Sequence, residues 1–255
     1  MLTKSINIIR VDEGLAERQD DILVTEVSVQ INLNGTEIAM ILASPYKEKE
    51  LGVGFLYTEG FINNVSEIRD FKQDGMSLYF SIDQERFDKE NKIQKFITSG
   101  CGRGSSFAII RKSLLGKKGE IIPLISSRQI FELMRVFQKR SELFQKTGGV
   151  HSAALCNTSE CLFFAEDIGR HNAVDRVIGE ALLNNISLND KVLLTSGRVS
   201  SEIARKVAQS EIPVLVSRSA PTDRALTFAQ ELQLTIVGFA RGNKFNIYTH
   251  EERIL

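Results

Sequence analysis

The stretch FITSGCGRGSSF, residues 96–107, sets Cys101 between two glycines with Arg103 two positions further on. Glycines cannot shield a thiol, and a nearby guanidinium favours the thiolate. The segment SSFAIIRKSLL just downstream reads as a helix whose N-terminus would favour it too. An exposed, activated thiol is what accepting and handing on sulfur requires; the alternative is an ordinary cysteine in a turn. Three other stretches point to anion binding. EDIGRHN (166–172), TSGRVSS (195–201) and SRSAPTD (217–223) each combine small or hydroxyl residues with an arginine: Arg170, Arg198 and Arg218. Gly169 and Gly197 permit close backbone approach, and Ser200, Ser201 and Thr222 can donate to phosphate oxygens. Lying side by side, these stretches would form a pocket for a phosphorylated, nucleotide-bearing ligand. A plainer account makes the hydroxyls helix N-caps and the arginines surface ion pairs.

Other polar residues leave two readings open. His171 begins a helical stretch four residues before Asp175, a spacing that brings side chains together. It could contact a ligand, donate a proton or fix the helix start. Glu166 and Asp167 could accept from a guanine edge or cap the turn. The stretch GFARGNKF (238–245) has a hairpin turn as its simplest reading. Cys156 and Cys161 sit on apolar runs and read as core packing. No G-x-G-x-x-G or Walker loop, no G-x-S-x-G elbow and no H-x-E with P-C-x-x-C zinc signature occurs, so no resident metal is expected.

The elements that must hold these residues can be read from periodicity. Residues 24–43 alternate Val27, Val29, Ile31 and Leu33 with Ile38, Met40 and Leu42 around Asn34 and Gly35, predicting a hairpin. Pro45 precedes a helix with Leu51, Phe55 and Leu56 at helical spacing and Gly60 beyond its end. Residues 71–95 predict a weak hairpin with a solvated face. SSRQIFELMRVFQKRSELFQKTGG (126–149) predicts one helix connecting two halves, with Ile130, Leu133, Met134 and Phe137 on one stripe. From residue 150 onward the rhythm changes. HSAALCNTSECLFFAED predicts two strands, and KVLLTS, IPVLVS and LTIVGFA predict strands buried on both faces. The helices between them predict crossovers and a largely parallel sheet. The expected class is α/β, divided into residues 1–125, strand-rich α+β, and 126–255, α/β.

Composition narrows the function classes. The 255 residues carry 32 basic and 32 acidic side chains, and a balanced charge argues against bulk attraction to nucleic acid or an anionic membrane. No signal-peptide h-region and no apolar run of membrane-spanning length is evident, so a cytoplasmic protein is expected. Three cysteines fit a reducing compartment.

SGCG, TGGVHSAAL, EDIGRHNAVDRVIGEAL, LLTSGRVSSEIARKVAQSEIPVLVSRSAPTDRA and LTIVGFARGNKFNIYTH together resemble the FdhD family, the formate dehydrogenase accessory proteins. The earlier LNG and ASPYKEKELGVGFLYTEGFI resemble its N-terminal part. The resemblance implies a sulfur carrier that takes a persulfide from a cysteine desulfurase and binds bis-molybdopterin guanine dinucleotide. It then delivers sulfur to the molybdenum or tungsten for formate dehydrogenase. Cys101 matches the first cysteine of the family's C-G-x-C loop. Phe239, Ala240, Arg241, Gly242, Asn243 and Lys244 match its cofactor-binding segment, which replaces the bare-hairpin reading there, and Arg198 and His171 join them as expected contacts. The resemblance also implies a cytidine-deaminase-like C-terminal half without catalytic zinc, and a homodimer. One departure stands out: Gly104 occupies the place of the second loop cysteine, so any relay must run through Cys101 alone or another chain's thiol. Two other readings remain, a non-catalytic cofactor chaperone and a small-molecule nucleotide enzyme, the latter without a general base in a recognised motif.

Overall fold

A computed structural model describes residues 1–88, 122 and 124–255; Cys101, Arg103, Gly104 and the helix expected after them lie outside the described residues. The chain opens with a two-stranded antiparallel ribbon, β1 (Thr3–Asp12) and β2 (Leu15–Val24). The sequence pattern predicts no element here, because the apolar residues follow no clean alternation. Strands β3 (Val27–Leu33) and β4 (Thr36–Ala43) form the expected hairpin. Asn34 and Gly35 both have positive φ, 48° and 77°, as a two-residue primed turn demands. Helix α1 (Glu48–Thr58) follows. It closes through Gly60 at φ 87°, with the Phe61 amide reaching back to Leu56 O at 2.8 Å and the Gly60 amide to Tyr57 O at 3.1 Å, a Schellman ending. Strands β5 (Asp70–Asp74) and β6 (Ser77–Ser81) form the second hairpin, and β6 joins β3 in parallel, giving the order β4-β3-β6-β5.

The helix expected over 126–149 is two helices, α2 (Ser127–Arg140) and α3 (Glu142–Thr147), broken at Ser141. A capping box between Ser126 and Gln129 starts α2. The six-stranded sheet that follows has the order β12-β11-β10-β9-β7-β8. Its members are β7 (His151–Cys156), β8 (Cys161–Asp167), β9 (Val192–Thr195), β10 (Val214–Ser217), β11 (Thr235–Arg241) and β12 (Lys244–Ile247). Within this sheet only β9, β10 and β11 pair in parallel, which corrects the expectation of a largely parallel sheet. The β7–β8 and β11–β12 links are a few residues long, too short for a crossover, so those strands must run antiparallel. Helices α4 (Arg170–Leu183), α5 (Ser201–Gln209) and α6 (Asp223–Glu231) complete the chain.

Burial on both sheet faces explains the nearly continuous apolar strands. Leu193, Leu215 and Ile236 face a core shared with α4, α5 and α6, which continues through α1 into the four-stranded sheet. Val192, Leu194, Val214, Val216 and Val237 face the opposite core, covered by Ile130, Leu133, Met134 and Phe137 of α2. Thus α2 covers one face of the sheet. Two glycines set how the first core closes. A Cβ on Gly54 would lie 1.8 Å from the Asp175 carbonyl oxygen, and one on Gly179 would lie 2.0 Å from that of Glu50. These crossed contacts show α1 and α4 running antiparallel with their backbones touching, a spacing only glycine permits.

Candidate functional site

Because β7 is antiparallel to both β8 and β9, the carboxyl ends of β8, β9, β10 and β11 all point to one edge of the sheet. Ligands gather at such edges, where helices begin. The three arginine-bearing loops end here and are stitched together. Ser217 Oγ donates to Gly197 O at 2.7 Å, the Arg218 amide to Thr195 O at 3.0 Å, and the Val199 amide to Ala220 O at 3.0 Å. Arg170 lays its aliphatic stem on Gly197, where a Cβ would meet it at 3.0 Å. Arg241 Nε donates to Arg218 O at 2.9 Å, joining the β11–β12 turn to the same row. Arg198, Arg218, Arg241 and Lys244 are exposed. Arg170 is half-buried, its Nε buried without a hydrogen-bond partner among the described residues. Ser200 and Thr222 do cap helices, accepting from the Ile203 and Ala225 amides. The plainer account therefore describes these two hydroxyls, while the guanidinium groups of Arg198 and Arg218 are exposed at the edge.

The β11–β12 turn has unusual local geometry. Phe239 is 40% exposed and sits at φ 54°, a left-handed conformation costly for an aromatic residue. The ladder shifts register between Gly238 and Arg241, and this bulge turns the Phe239 ring outward. The Phe239 amide donates to Ser219 O at 3.1 Å. Gly238 lets the strand pass this close, since a Cβ would sit 2.9 Å from the Tyr248 ring and 3.2 Å from Ser219 O. A cavity of about 410 Å³ is lined by Phe239, Arg241, Lys244, Phe245 and Asn246. Ala240 is buried and contributes backbone alone, while Gly242 and Asn243 form the exposed turn. Asn243 Oδ1 accepts from Arg135 Nη2 at 2.7 Å, which adds α2 to the rim. Arg135 was not anticipated, because on a helix it reads as an ordinary solvent-facing cation.

His171 faces elsewhere. It lines a second cavity of about 320 Å³ between β4, α1 and the starts of α4 and α5, with Met40, Leu42 and Phe55 as the apolar wall. Its Nε2 lies 3.1 Å from Glu202 Oε2 without hydrogen-bond alignment. Burial, with Lys206 and Arg170 nearby, drives its pKa down to about 3, so the ring is neutral at pH 7. Asp175 does not serve His171: it accepts from Thr58 Oγ1 at 2.7 Å and from Lys206 Nζ at 2.9 Å. Lys206 also reaches Glu59 Oε1 at 2.7 Å, and Arg205 Nη2 reaches Glu59 Oε2 at 2.8 Å. Burial opposes the Lys206 ammonium, but Asp175 and Glu59 outweigh it and raise its pKa. Burial alone would raise the Glu59 carboxyl, yet Lys206 and Arg205 hold it at about 2. Nothing in the sequence pattern foretold this network, since Arg205 and Lys206 look like the polar face of an amphipathic helix. His151, beside the row, has its pKa lowered by burial and by Arg170, and its Nδ1 lies 3.4 Å from Ser196 Oγ.

Glu166 and Asp167 serve the scaffold. Glu166 accepts the Leu143 and Phe144 amides at 3.0 and 2.9 Å, fixing the start of α3. Asp167 accepts the Gly169 amide at 2.8 Å and the Ser44 amide at 3.0 Å, and pairs with the fully buried Arg176 at 2.6 Å. Arg176 in turn donates to Ser44 O, Tyr46 O and Lys47 O and lies 4.6 Å from the Tyr46 ring centroid. The β8–α4 loop that leads into Arg170 is thereby pinned to the chain segment before α1. Among the described residues no group of three or more His, Cys, Asp or Glu could hold a metal ion, and no helix is long and apolar enough to cross a membrane.

Comparison with known proteins agrees along almost the whole chain. Residues 24–255 match the FdhD/NarQ family. The chain is 39% identical over 248 residues to the sulfur carrier protein FdhD of Bacillus subtilis (strain 168), covering 96% of this chain and 95% of that one. It is 38% identical over 253 residues to the protein so named in Staphylococcus haemolyticus (strain JCSC1435), covering 97% and 95%. A crystal structure described as that of a formate dehydrogenase accessory protein from Desulfotalea psychrophila superposes with a TM-score of 0.81. Its sequence is 27% identical, and all of both chains is covered. The chain belongs to the FdhD/NarQ family.

Proposed function

We propose that this member of the FdhD/NarQ family accepts persulfide sulfur on Cys101 from a cysteine desulfurase and transfers it to the metal of bis-molybdopterin guanine dinucleotide, for use by formate dehydrogenase. The observation that carries the reading is the stitched row of strand-end loops. It lines up Arg170, Arg198, Arg218, Arg241 and Lys244 on one edge, beside the Phe239 cavity. A guanine dinucleotide brings pyrophosphates, which forked guanidinium donors suit, and flat bases, which an outward aromatic ring can stack. The cofactor is cargo here, so the protein's task is to grip its nucleotide ends and leave the metal accessible. We place that task in residues 126–255, read as a cytidine-deaminase-like domain, with residues 1–125 bearing the Cys101 loop. The working form is read as a homodimer.

Transfer onto the carrier is thiol–persulfide exchange. The Cys101 thiolate attacks the outer sulfur of the donor persulfide, a new S–S bond forms, and the desulfurase thiolate leaves. With Gly104 three positions on, in the place of the second loop cysteine, no second thiol on that loop can release the sulfur prematurely. Incubation with a desulfurase and cysteine, followed by mass spectrometry, should add the mass of one sulfur atom to the peptide containing Cys101; an unmodified peptide overturns sulfur transfer. Cys101→Ala separates the carrier from a chaperone that merely delivers the cofactor, because the chaperone would still mature formate dehydrogenase. Guanosine diphosphate should bind the wild-type chain, and Arg241→Ala with Lys244→Ala should weaken it. Equal affinity in that double variant would remove the proposed grip.

A further inference from the structure

We propose that Cys156 and Cys161 form a reversible disulfide, a redox site separate from Cys101. The two residues are direct cross-strand partners at the end of the β7–β8 hairpin. Their sulfurs lie 3.1 Å apart, with the Cys156 thiol donating to Cys161 Sγ. A disulfide needs about 2.05 Å between the sulfurs, so each sulfur has to move by only about half an ångström. The backbone is already held in register for this. Asn157 Oδ1 accepts the Ser159 and Glu160 amides at 2.8 Å and the Ser159 hydroxyl at 2.9 Å, which fixes the connecting turn. Arg140 Nη1 of α2 donates to Cys161 O at 3.1 Å, placing a cation next to the pair.

The two thiols are not equivalent. The hydrogen bond from Cys156, with Arg140 nearby, lowers the pKa of Cys161, although burial and Glu160 oppose it. Its place on the accepting side of that hydrogen bond, next to Arg140, makes Cys161 the nucleophile and Cys156 the proton-bearing partner. Cys161 retains slight exposure, whereas Cys156 is fully buried, so the oxidant must be small; a hydroperoxide fits. The Cys161 thiolate attacks one peroxide oxygen, the O–O bond breaks, and hydroxide leaves, taking up a proton to become water. The resulting sulfenic acid condenses with the Cys156 thiol: the S–S bond forms, the S–O bond breaks, and its hydroxyl leaves with the thiol proton as water. Two thiols and one hydrogen peroxide thus give one disulfide and two waters. A dithiol reductant reverses the change.

Trypsin releases both cysteines within residues 147–170, which makes the test direct on the wild-type chain. The reduced protein is treated with hydrogen peroxide, quenched in acid, alkylated with N-ethylmaleimide under denaturing conditions and digested. The expected result is loss of the doubly alkylated peptide in favour of one that carries no label and is two hydrogens lighter. Dithiothreitol before alkylation should restore both labels, and Cys156→Ser or Cys161→Ser should abolish the lighter species. Full double alkylation after peroxide, oxygen retained on one sulfur, or a cross-link to the Cys101 peptide in its place would each overturn the assignment.

Discussion

Replacing Glu59 by Gln keeps the side-chain shape and removes the charge that Lys206 and Arg205 share. Both contacts are short, 2.7 and 2.8 Å, and the carboxylate is only 13% exposed, so solvent screens it little. Its pKa is held at about 2 against an ordinary 4.5. At 1.36 kcal/mol per unit, that difference is worth about 3 kcal/mol of folding free energy at neutral pH. The folded-state pKa is depressed, so the contribution is complete above about pH 5 and disappears as pH falls towards 2. Urea unfolding of the wild type and Glu59→Gln at pH 7, 5 and 3 reads this directly. The gap should be about 3 kcal/mol at pH 7 and less than half of that at pH 3. A gap below about 1 kcal/mol at pH 7 would place the pair in the range of surface ion pairs. A gap that does not change with pH would mean that the loss is one of packing. Either result refutes the electrostatic account of how α1 is bound to α5.

Gly54→Ala and Gly179→Ala force a methyl group into a facing carbonyl. Each should cost about 3 kcal/mol or more, lowering Tm by about 6–12 °C in a chain of this size; calorimetry showing unchanged melting would refute the backbone contact. His171, driven down to about 3 chiefly by burial, should stay neutral at pH 5 in its imidazole NMR shifts. Its contribution to stability is complete above the ordinary pKa of 6.5 and lost as pH falls towards 3, and a titration midpoint near 6 would contradict the burial of the ring. Phe239→Gly should leave stability equal or higher by about 1 kcal/mol, since glycine tolerates the left-handed backbone. If the ring stacks on guanine, the same change weakens guanosine diphosphate binding by about tenfold; unchanged affinity would remove the stacking role.

Local signals were readable wherever one residue type has one physical use. Asn34-Gly35 could only be a tight turn, Gly60 a helix end, and the runs around Leu193, Leu215 and Ile236 strands covered on both sides. The arginines beside small residues at each strand end were legible too, but not that hydrogen bonds such as Ser217 to Gly197 and Arg241 to Arg218 join their loops into one row. What escaped depended on which residues meet across the fold. Gly54 and Gly179 look like weak points in two helices until their 125-residue separation is closed. Arg176, Arg205 and Lys206 look like solvent-facing cations, yet all three are buried and paired. Cys156 and Cys161 read correctly as core, but their sulfur-to-sulfur contact depends on a bulge between Leu155 and Cys156. The ribbon at residues 3–24 escaped for another reason: most of its side chains are exposed, so its pattern was never constrained by a buried face.

The seating of α1 has a consequence for how the protein is made. Ser44 and Asp167 bond across 123 residues, and the glycine contact of α1 needs α4 to exist. At about 5–20 residues per second of synthesis, the N-terminal sheet and α1 wait about 6–25 s on the ribosome before their partner surface is even translated. During that interval the face of α1 destined for α4 is bare and needs shielding. Conversely, an N-terminal part released early has no docking surface for α1, so a truncated chain cannot assemble the first core. Vectorial synthesis thus makes completion of the α/β half the licensing step for everything that precedes it.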